Sequence, residues 1–164
     1  MLLNIIGFNL SWFGLVMIGN SYIPFTLIWL AMHVYCCKQP LAELKLLISI
    51  TIIGTAVDSL LQFFDVLVFT DRNSIPLWLV MLWCAFAATI AHSLQFLRSS
   101  IKLQWLVGYI FPPLSYLAGS HLSAVEFGYD LAISFIVLGT IWSLLFVLFF
   151  RLKETFYLQE STNA

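Results

Sequence analysis

Charged residues are scarce in this chain, and their scarcity excludes whole classes of protein before any motif is considered. Only 9% of the 164 residues are Asp, Glu, Lys or Arg, whereas 62% are hydrophobic. A soluble domain carries about 25% charged residues. The net charge of -1 also leaves no basic surface for nucleic acid. We therefore expect a membrane protein that forms a single domain over residues 1–164 and binds no nucleic acid.

Cysteine and histidine are also rare, and their spacing gives no sign of a metal or redox centre. Cys36 and Cys37 are adjacent and Cys84 stands alone, so the sequence has neither a CxxC motif nor the spacing of a disulfide framework. The three histidines form no HxxH or HExxH pattern, and they are too few for the histidine-rich di-iron sites of membrane desaturases. From these patterns we expect no bound metal and no cofactor.

Long apolar runs, by contrast, are abundant, and they divide the chain into six predicted membrane-spanning helices. Each run is near the ~20 residues needed to cross a bilayer. The predicted spans are residues 3–19, 22–37, 46–69, 76–97, 103–124 and 131–150, followed by a polar tail. Pro112 and Pro113 are expected to interrupt the fifth span, and the sixth, which has no ionisable residue, is expected to be peripheral and lipid-facing. The fold class is therefore all-α, a polytopic membrane helix bundle.

Basic residues are distributed unevenly between the predicted loops. With both termini in the cytoplasm, the outer loops hold only Arg72, and the inner loops and tail hold Lys38, Lys45, Arg98, Lys102, Arg151 and Lys153. Cytoplasmic loops of membrane proteins carry an excess of Lys and Arg. The distribution therefore predicts a multi-pass protein with both termini cytoplasmic.

Polar side chains recur along the third predicted span. Thr51, Thr55, Asp58, Gln62 and Asp65 follow one another at steps of four, three, four and three, which places all five on one face of a helix. A carboxylate near the bilayer centre costs about 3 kcal/mol or more, so this face is expected to turn inward. Asp58 could fix helix packing through hydrogen bonds, carry a proton or an ion, or take part in catalysis.

Residues at matched depth suggest partners for these groups. At about 1.5 Å per helical residue, Tyr116 of the fifth span falls near the depth of Asp58. His33 and His92 both fall a few residues from the cytoplasmic face, within reach of Glu43, and we predict that these three share a polar pocket. The alternatives for the histidines are metal ligands, acid–base groups and hydrogen-bonded interior residues. The candidate catalytic residues are Asp58, His92 and Tyr116, and the candidate ligand-binding residues are Asn9, Trp12, His33, Glu43, Gln62, Trp83 and Ser115.

A set of short motifs carries a family resemblance over nearly the whole chain. The motifs are Asn9 with Trp12, Gly54-x-x-x-Asp58-Ser59-Leu60, Pro76-Leu77-Trp78, Leu82-Trp83-x-x-Phe86-Ala87, His92-Ser93-Leu94 and Pro113-Leu114-Ser115-Tyr116-x-Ala118-Gly119. In this combination the chain resembles the bacterial inner-membrane family catalogued as domain of unknown function 2878. It departs from that family in having Pro112-Pro113 for Gly-Pro, and His121 and Ser123 for a basic residue and a glycine. The resemblance implies a small multi-pass protein of the bacterial inner (cytoplasmic) membrane, with no established activity.

Three functions remain open from the sequence. The first is a protein that binds or acts on a lipid or isoprenoid, supported by the intramembrane Asp, His and Tyr residues, by an aromatic content of 16% and by the resemblance. The second is a structural or assembly subunit, in which every polar residue joins helices. The third is a small proton- or ion-coupled transporter, supported by a charged midplane residue and a proline-containing helix. The expected partners are membrane lipids, other membrane proteins or a second copy of the chain, and the sequence names no reaction.

Overall fold

Helices account for nearly all of the regular structure in the described part of the chain, residues 2–70 and 74–163, of this computed structural model. The α-helices are α1 (Leu2–Ile18), α2 (Ile23–Cys36), α3 (Pro40–Phe63), α4 (Leu77–Ile90), α5 (Ile101–His121) and α6 (Leu131–Asn163). Two 3-10 helices cover Gly19–Tyr22 and Gln95–Ser99, and strands β1 (Leu67–Val68) and β2 (Glu126–Phe127) pair antiparallel. The predicted all-α fold class is confirmed. Arg72, the basic residue predicted for an outer loop, lies outside the described residues.

Glycines allow α1 and α2 to pack as an antiparallel hairpin. The turn between them contains Gly19 at a φ of 69°, a left-handed conformation that glycine adopts without steric cost. A Cβ atom at Gly7 would lie 2.0 Å from Nε1 of Trp29, and one at Gly14 would lie 2.2 Å from Cε1 of Tyr22. Each ring therefore occupies the space that a side chain on α1 would have filled.

The helices include three segments that are long and apolar enough to cross a membrane by length and composition. These are Leu2–Cys36, which contains both arms of the first hairpin, Pro40–Phe63 and Leu131–Thr162, and Leu77–Ile90 is a shorter apolar helix. Large apolar side chains such as Phe25 and Phe63 are exposed on the outside of the bundle. These features fit a membrane protein, whereas the six predicted spans are not confirmed.

Helix α3 is displaced along the sequence relative to the predicted third span. It begins at Pro40 and ends at Phe63, not at residues 46 and 69. The chain turns at Asp65, which has a left-handed φ of 54°, and then forms β1 against β2. The prediction that Asp65 shares a helical face with Asp58 is therefore wrong, because Asp65 lies beyond the end of the helix.

Helix α5 runs through its two prolines without a break, so the predicted interruption is wrong. Pro113 has no N–H group to donate to the carbonyl of Tyr109 four residues earlier. Helix α6 approaches that carbonyl closely, since a Cβ atom at Gly139 would lie 2.8 Å from the Tyr109 oxygen. The Oγ atom of Ser143 on α6 lies 3.0 Å from the carbonyl of Trp105 and 2.8 Å from that of Gly139 in its own helix, so its one hydroxyl hydrogen is shared between them. Small residues thus join α5 and α6 tightly around the proline-containing segment.

Helix α6 is central, and the prediction of a peripheral sixth span is wrong. It packs against α3, α4 and α5, and its Leu138, Trp142 and Phe149 are buried. Residues 131–150 contain no ionisable residue, and such a segment is compatible with a protein core as well as with lipid, because both surroundings are apolar. Hydropathy therefore could not separate the two locations.

The predicted polar tail is a continuation of α6. Leu152 and Phe156 keep the helical spacing of the apolar face and pack against the core. The Glu160 carboxylate accepts the backbone N–H of Ala42 in the first turn of α3. The Gln39 side chain donates to the Tyr157 carbonyl at 3.3 Å. This extension therefore holds the start of α3 in place.

The contact between α5 and α6 gives a first testable prediction. A Cβ atom at Gly108 would lie 2.8 Å from the backbone oxygen of Trp142, and a backbone atom cannot move aside as a side-chain end can. We expect Gly108→Ala to destabilise the protein by about 1–3 kcal/mol through overpacking. Thermal unfolding in detergent measures the change. The control is Gly119→Ala on the same helix, where a Cβ atom would lie 3.5 Å from Val125; equal melting temperatures for the two variants would contradict the prediction.

Candidate functional site

A buried carboxylate joins three helices in the interior of the bundle. Asp58 of α3 has no exposed surface. Its Oδ2 accepts a hydrogen bond of 2.6 Å from the indole Nε1 of Trp83 on α4, and its Oδ1 accepts one of 2.7 Å from the hydroxyl of Tyr116 on α5. The structure thus brings together Asp58 and Tyr116, which the sequence placed at similar depth, and adds Trp83 as the donor to the second carboxylate oxygen.

The spacing of Gly54 and Asp58 explains how the indole is held. The two residues are one helical turn apart on α3, so they lie on the same face. A Cβ atom at Gly54 would lie 2.0 Å from Cδ2 of Trp83, and the glycine therefore leaves room for the ring whose Nε1 reaches Asp58. Trp83 also stacks on Trp142 of α6, with ring centroids 4.7 Å apart and planes within 9° of parallel.

A cavity of about 640 Å³ lies beside this group, lined by residues of α1, α4, α5 and α6. Most of its wall is aromatic or aliphatic. Its lining includes Phe8, Trp12, Trp78, Trp83, Phe86, Phe111, Tyr116, Trp142 and Phe146, and its polar members include Asn9, Thr89, Ser93 and Ser115. The indole Nε1 of Trp12 on α1 donates a hydrogen bond of 2.8 Å to Oγ of Ser115 on α5.

The cavity and the carboxylate are separated by one layer of rings. Trp83 and Tyr116 line the cavity, whereas Asp58 does not. Both oxygens of Asp58 accept hydrogen bonds from these two rings. Asp58 therefore positions the wall of the cavity and makes no contact with its interior.

A second polar cluster forms where α2 ends, α3 begins and α4 ends. Nε2 of His33 lies 2.8 Å from Oε1 of Glu43, and Nε2 of His92 lies 3.2 Å from Oε2. The two imidazole rings are 4.5 Å apart between centroids. Glu43 is fully buried, and the side chain of His92 is 31% exposed. The structure thus brings together the three residues that the sequence predicted to share a pocket.

Two further residues complete this cluster, and the sequence analysis did not select either. Sγ of Cys37 lies 3.8 Å from Nε2 of His33 and 3.6 Å from Nε2 of His92. The hydroxyl of Tyr157 donates to Oε2 of Glu43. The available signal for Cys37 was its position four residues after His33, which places both on one side of the α2 terminus. Tyr157 could not be found, because it was assigned to a tail.

The surroundings of this cluster raise the pKa of the Cys37 thiol to about 11. Burial disfavours the thiolate first, and the negative charge of Glu43 adds to that effect. At neutral pH the cluster as it stands therefore contains a thiol. Its donors are two imidazoles, a carboxylate and this sulfur atom, and their four ligand atoms all lie within 4.8 Å of one another.

The remaining candidates lie outside these two groups or at their edges. Asn9 lines the cavity but is exposed, and its side-chain amide donates to the Ile5 carbonyl of its own helix at 2.8 Å. Gln62 lies on α3 one turn beyond Asp58 and does not line the cavity. Thr51 donates to the Leu47 carbonyl at 2.7 Å. The roles assigned to the candidate residues in binding or catalysis stay predictions.

Comparison with known proteins identifies the family to which this chain belongs. The model of a family described as "Protein of unknown function (DUF2878)" matches residues 1–148, which confirms the resemblance inferred from the motifs. No curated protein and no solved structure matches the chain.

Proposed function

Since the description of the family to which the chain belongs, Protein of unknown function (DUF2878), assigns no activity, we propose a function from the geometry of the chain. We propose that it is a membrane protein that binds the apolar chain of a lipid or isoprenoid. The observation that carries this proposal is the aromatic cavity between α1, α4, α5 and α6. Small-molecule sites are concave, mostly apolar and about 300–1,000 Å³ in volume. The cavity of about 640 Å³ lies within that range.

Apolar surface around the cavity supports a ligand that comes from the bilayer. Phe13, Phe96 and Phe111 line the cavity and are 53%, 63% and 63% exposed. Exposed aromatic side chains on an apolar helix surface face hydrocarbon in a membrane protein. A lipid chain could therefore move from the bilayer into the cavity without crossing water.

Hydroxyl groups on the wall supply a polar end for the same ligand. Ser93 and Ser115 lie among the otherwise apolar lining, whereas the hydroxyl of Tyr116 already donates to Asp58. A lipid headgroup or carbonyl oxygen can accept a hydrogen bond from a hydroxyl. The Trp12–Ser115 hydrogen bond closes the space between α1 and α5 and is a candidate for exchange when a ligand binds.

The fully buried position of Asp58 favours this proposal over a transporter. The transporter hypothesis needed a midplane carboxylate that exchanges protons or ions. Both Asp58 oxygens instead accept hydrogen bonds from Trp83 and Tyr116, and the residue does not line the cavity.

The proposal includes no chemical reaction. It retains a multi-pass location in the bacterial inner membrane with both termini cytoplasmic, which rests on the distribution of basic residues and on the family resemblance.

Photolabelling with a diazirine-bearing fatty acid tests the proposal. Added to membranes that contain the protein, the probe is expected to label peptides of α1, α4 and α5 that line the cavity. Gly119→Leu is expected to reduce this labelling severalfold, because Gly119 lines the cavity and a Cβ atom there meets only Val125, at 3.5 Å. The Cβ atom therefore fits without displacing backbone, and the rest of the leucine side chain is expected to extend into the cavity.

The matched control is Ala118→Leu at the preceding position. Ala118 is exposed and does not line the cavity, so the same new side chain is added outside it. Labelling that resists Gly119→Leu, or that falls equally in both variants, would contradict the proposal. A protein that takes up no probe and purifies without lipid would favour a structural subunit.

A further inference from the structure

The geometry points to a metal site that is separate from the cavity. We propose that one divalent ion of the zinc class binds between Nε2 of His33, Sγ of Cys37, a carboxylate oxygen of Glu43 and Nε2 of His92. This proposal does not depend on lipid binding. It departs from the expectation, drawn from sequence spacing alone, that the chain holds no metal.

The distances between the four donors are close to those of a tetrahedral site. With zinc–nitrogen distances of about 2.0–2.1 Å and zinc–sulfur distances of about 2.3 Å, tetrahedral ligand atoms lie about 3.3–3.6 Å apart. The sulfur lies 3.8 and 3.6 Å from the two imidazole nitrogens. Nε2 of His33 lies 2.8 Å from Oε1 of Glu43, and Nε2 of His92 lies 3.2 Å from Oε2. All four ligand atoms lie within 4.8 Å of one another, so movements of about 1 Å or less would complete the coordination.

The charge of the donor set suits a divalent ion in a dry environment. Two neutral imidazoles, one thiolate and one carboxylate carry two negative charges, so a divalent ion makes the site neutral. Burial of a charge is costly unless the charge is paired. Glu43 has no exposed surface, and among residues 2–70 and 74–163 its ion-pair partners are the two histidines. On binding, the Cys37 thiol releases its proton to water and the sulfur bonds to the metal.

Helix ends around the cluster also favour a cation between the histidines. His33 lies in the last turn of α2, and His92 lies two residues after the end of α4. The carboxyl ends of helices carry partial negative charge, whereas the first turn of a helix, where Glu43 lies on α3, favours an anion. The backbone thus places cation-favouring ends beside the imidazoles and an anion-favouring end beside the carboxylate.

Neighbouring side chains hold the donors in position. Tyr157 donates a hydrogen bond to Glu43, and the ring of Trp29 lies 5.8 Å from that of His33. Such contacts orient metal ligands and are a regular part of metal sites. Lys153 approaches from α6, with its ammonium 5.2 Å from the centre of the Tyr157 ring, but it forms no ion pair with Glu43.

The competing explanation is a hydrogen-bonded cluster in which a protonated histidine balances Glu43. This explanation accounts for the carboxylate and the two imidazoles. It assigns no role to Cys37, whose sulfur lies within 4 Å of both rings. The cysteine therefore distinguishes the two explanations.

Metal analysis of the purified full-length protein provides the test. After exposure to Zn²⁺ and removal of loosely bound ions, we expect about one zinc per chain by elemental mass spectrometry. Replacement by Co²⁺ is expected to give visible absorption bands of a tetrahedral complex and a sulfur-to-cobalt charge-transfer band. Less than a tenth of an ion per chain in folded protein would overturn the proposal, because about one is expected.

Two adjacent cysteines supply the test variant and its matched control. Cys37→Ser is expected to lose the sulfur-to-cobalt band and to weaken zinc binding at least tenfold, since even residues that only support ligands contribute roughly 10–100-fold. Cys36→Ser, at the exposed neighbouring position, is expected to keep both. A charge-transfer band that persists in Cys37→Ser, or that disappears in Cys36→Ser, would refute the assignment. If Cys37→Ser does not fold, His92→Gln at the partly exposed histidine replaces it, and unchanged zinc affinity in that variant refutes the site.

Discussion

Replacing Gly54 with alanine is expected to destabilise the protein by about 1–3 kcal/mol, although alanine normally stabilises a helix by about 1 kcal/mol relative to glycine. A Cβ atom at this position would lie 2.0 Å from Cδ2 and 2.2 Å from Cε3 of Trp83. Trp83 is only 3% exposed and stacks on Trp142, so the ring can move away from Gly54 only toward the cavity and with loss of that stacking. Overpacking costs about 1–3 kcal/mol or more, and displacement of the indole also breaks its hydrogen bond to Asp58.

Size-exclusion yield and thermal unfolding in detergent measure this effect. The expected melting temperature is lower by about 5 °C or more, on the scale of about 2–4 °C per kcal/mol for a chain of this size. Gly119→Ala serves again as the control for an added methyl group on a buried helix face. A Gly54→Ala protein as stable as the parent, with unchanged tryptophan fluorescence, would show that Trp83 does not lie against Gly54.

The depth of a residue along its predicted span was sufficient to predict some members of both polar groups. Each residue of a helix adds about 1.5 Å, so position in a span fixes depth before any helix contact is known. This is why Asp58 could be matched with Tyr116, and His33 with His92. Depth does not determine which helices are neighbours, and Trp83 could not be assigned to Asp58 because nothing in its sequence context distinguishes a core indole from an interfacial one.

Hydrophobicity misplaced the ends of two helices, because apolar character and helical structure do not end at the same residue. Residues 66–69 are as apolar as the helix before them, yet part of this segment forms β1. A short strand buries apolar side chains as a helix does, so hydropathy alone could not distinguish the two structures. The extension of α6 beyond Phe150 is polar on one side, so its mean hydropathy falls although its other side packs on the core. Tyr157, which donates to Glu43 in the second polar cluster, therefore could not be recognised from hydropathy.

Asp58 gives the prediction with the second large effect, because its replacement by leucine leaves two donors unpaired. The indole N–H of Trp83 and the hydroxyl of Tyr116 both donate to this carboxylate. A buried donor without an acceptor costs roughly 1–3 kcal/mol. We therefore expect Asp58→Leu to lower the folded yield strongly and to reduce fatty-acid labelling of the cavity in whatever protein remains.

Asparagine at the same position separates packing from proton or ion chemistry. Its carbonyl can accept from Trp83, which only donates, and its NH₂ group can donate to the Tyr116 hydroxyl oxygen. Asp58→Asn is therefore expected to retain fold and labelling, with a loss of stability smaller than that of Asp58→Leu.

Tyr116→Phe removes one of the two donors to Asp58. Combined with Asp58→Leu, it should recover part of the stability lost in Asp58→Leu alone, because one fewer polar group is left unpaired. The stability and labelling of these variants and of the parent protein, measured side by side, determine the role of the carboxylate. An Asp58→Asn protein that folds like the parent but loses labelling would show that the negative charge acts on the ligand, and an Asp58→Leu protein as stable as the parent would show that the two rings do not depend on Asp58.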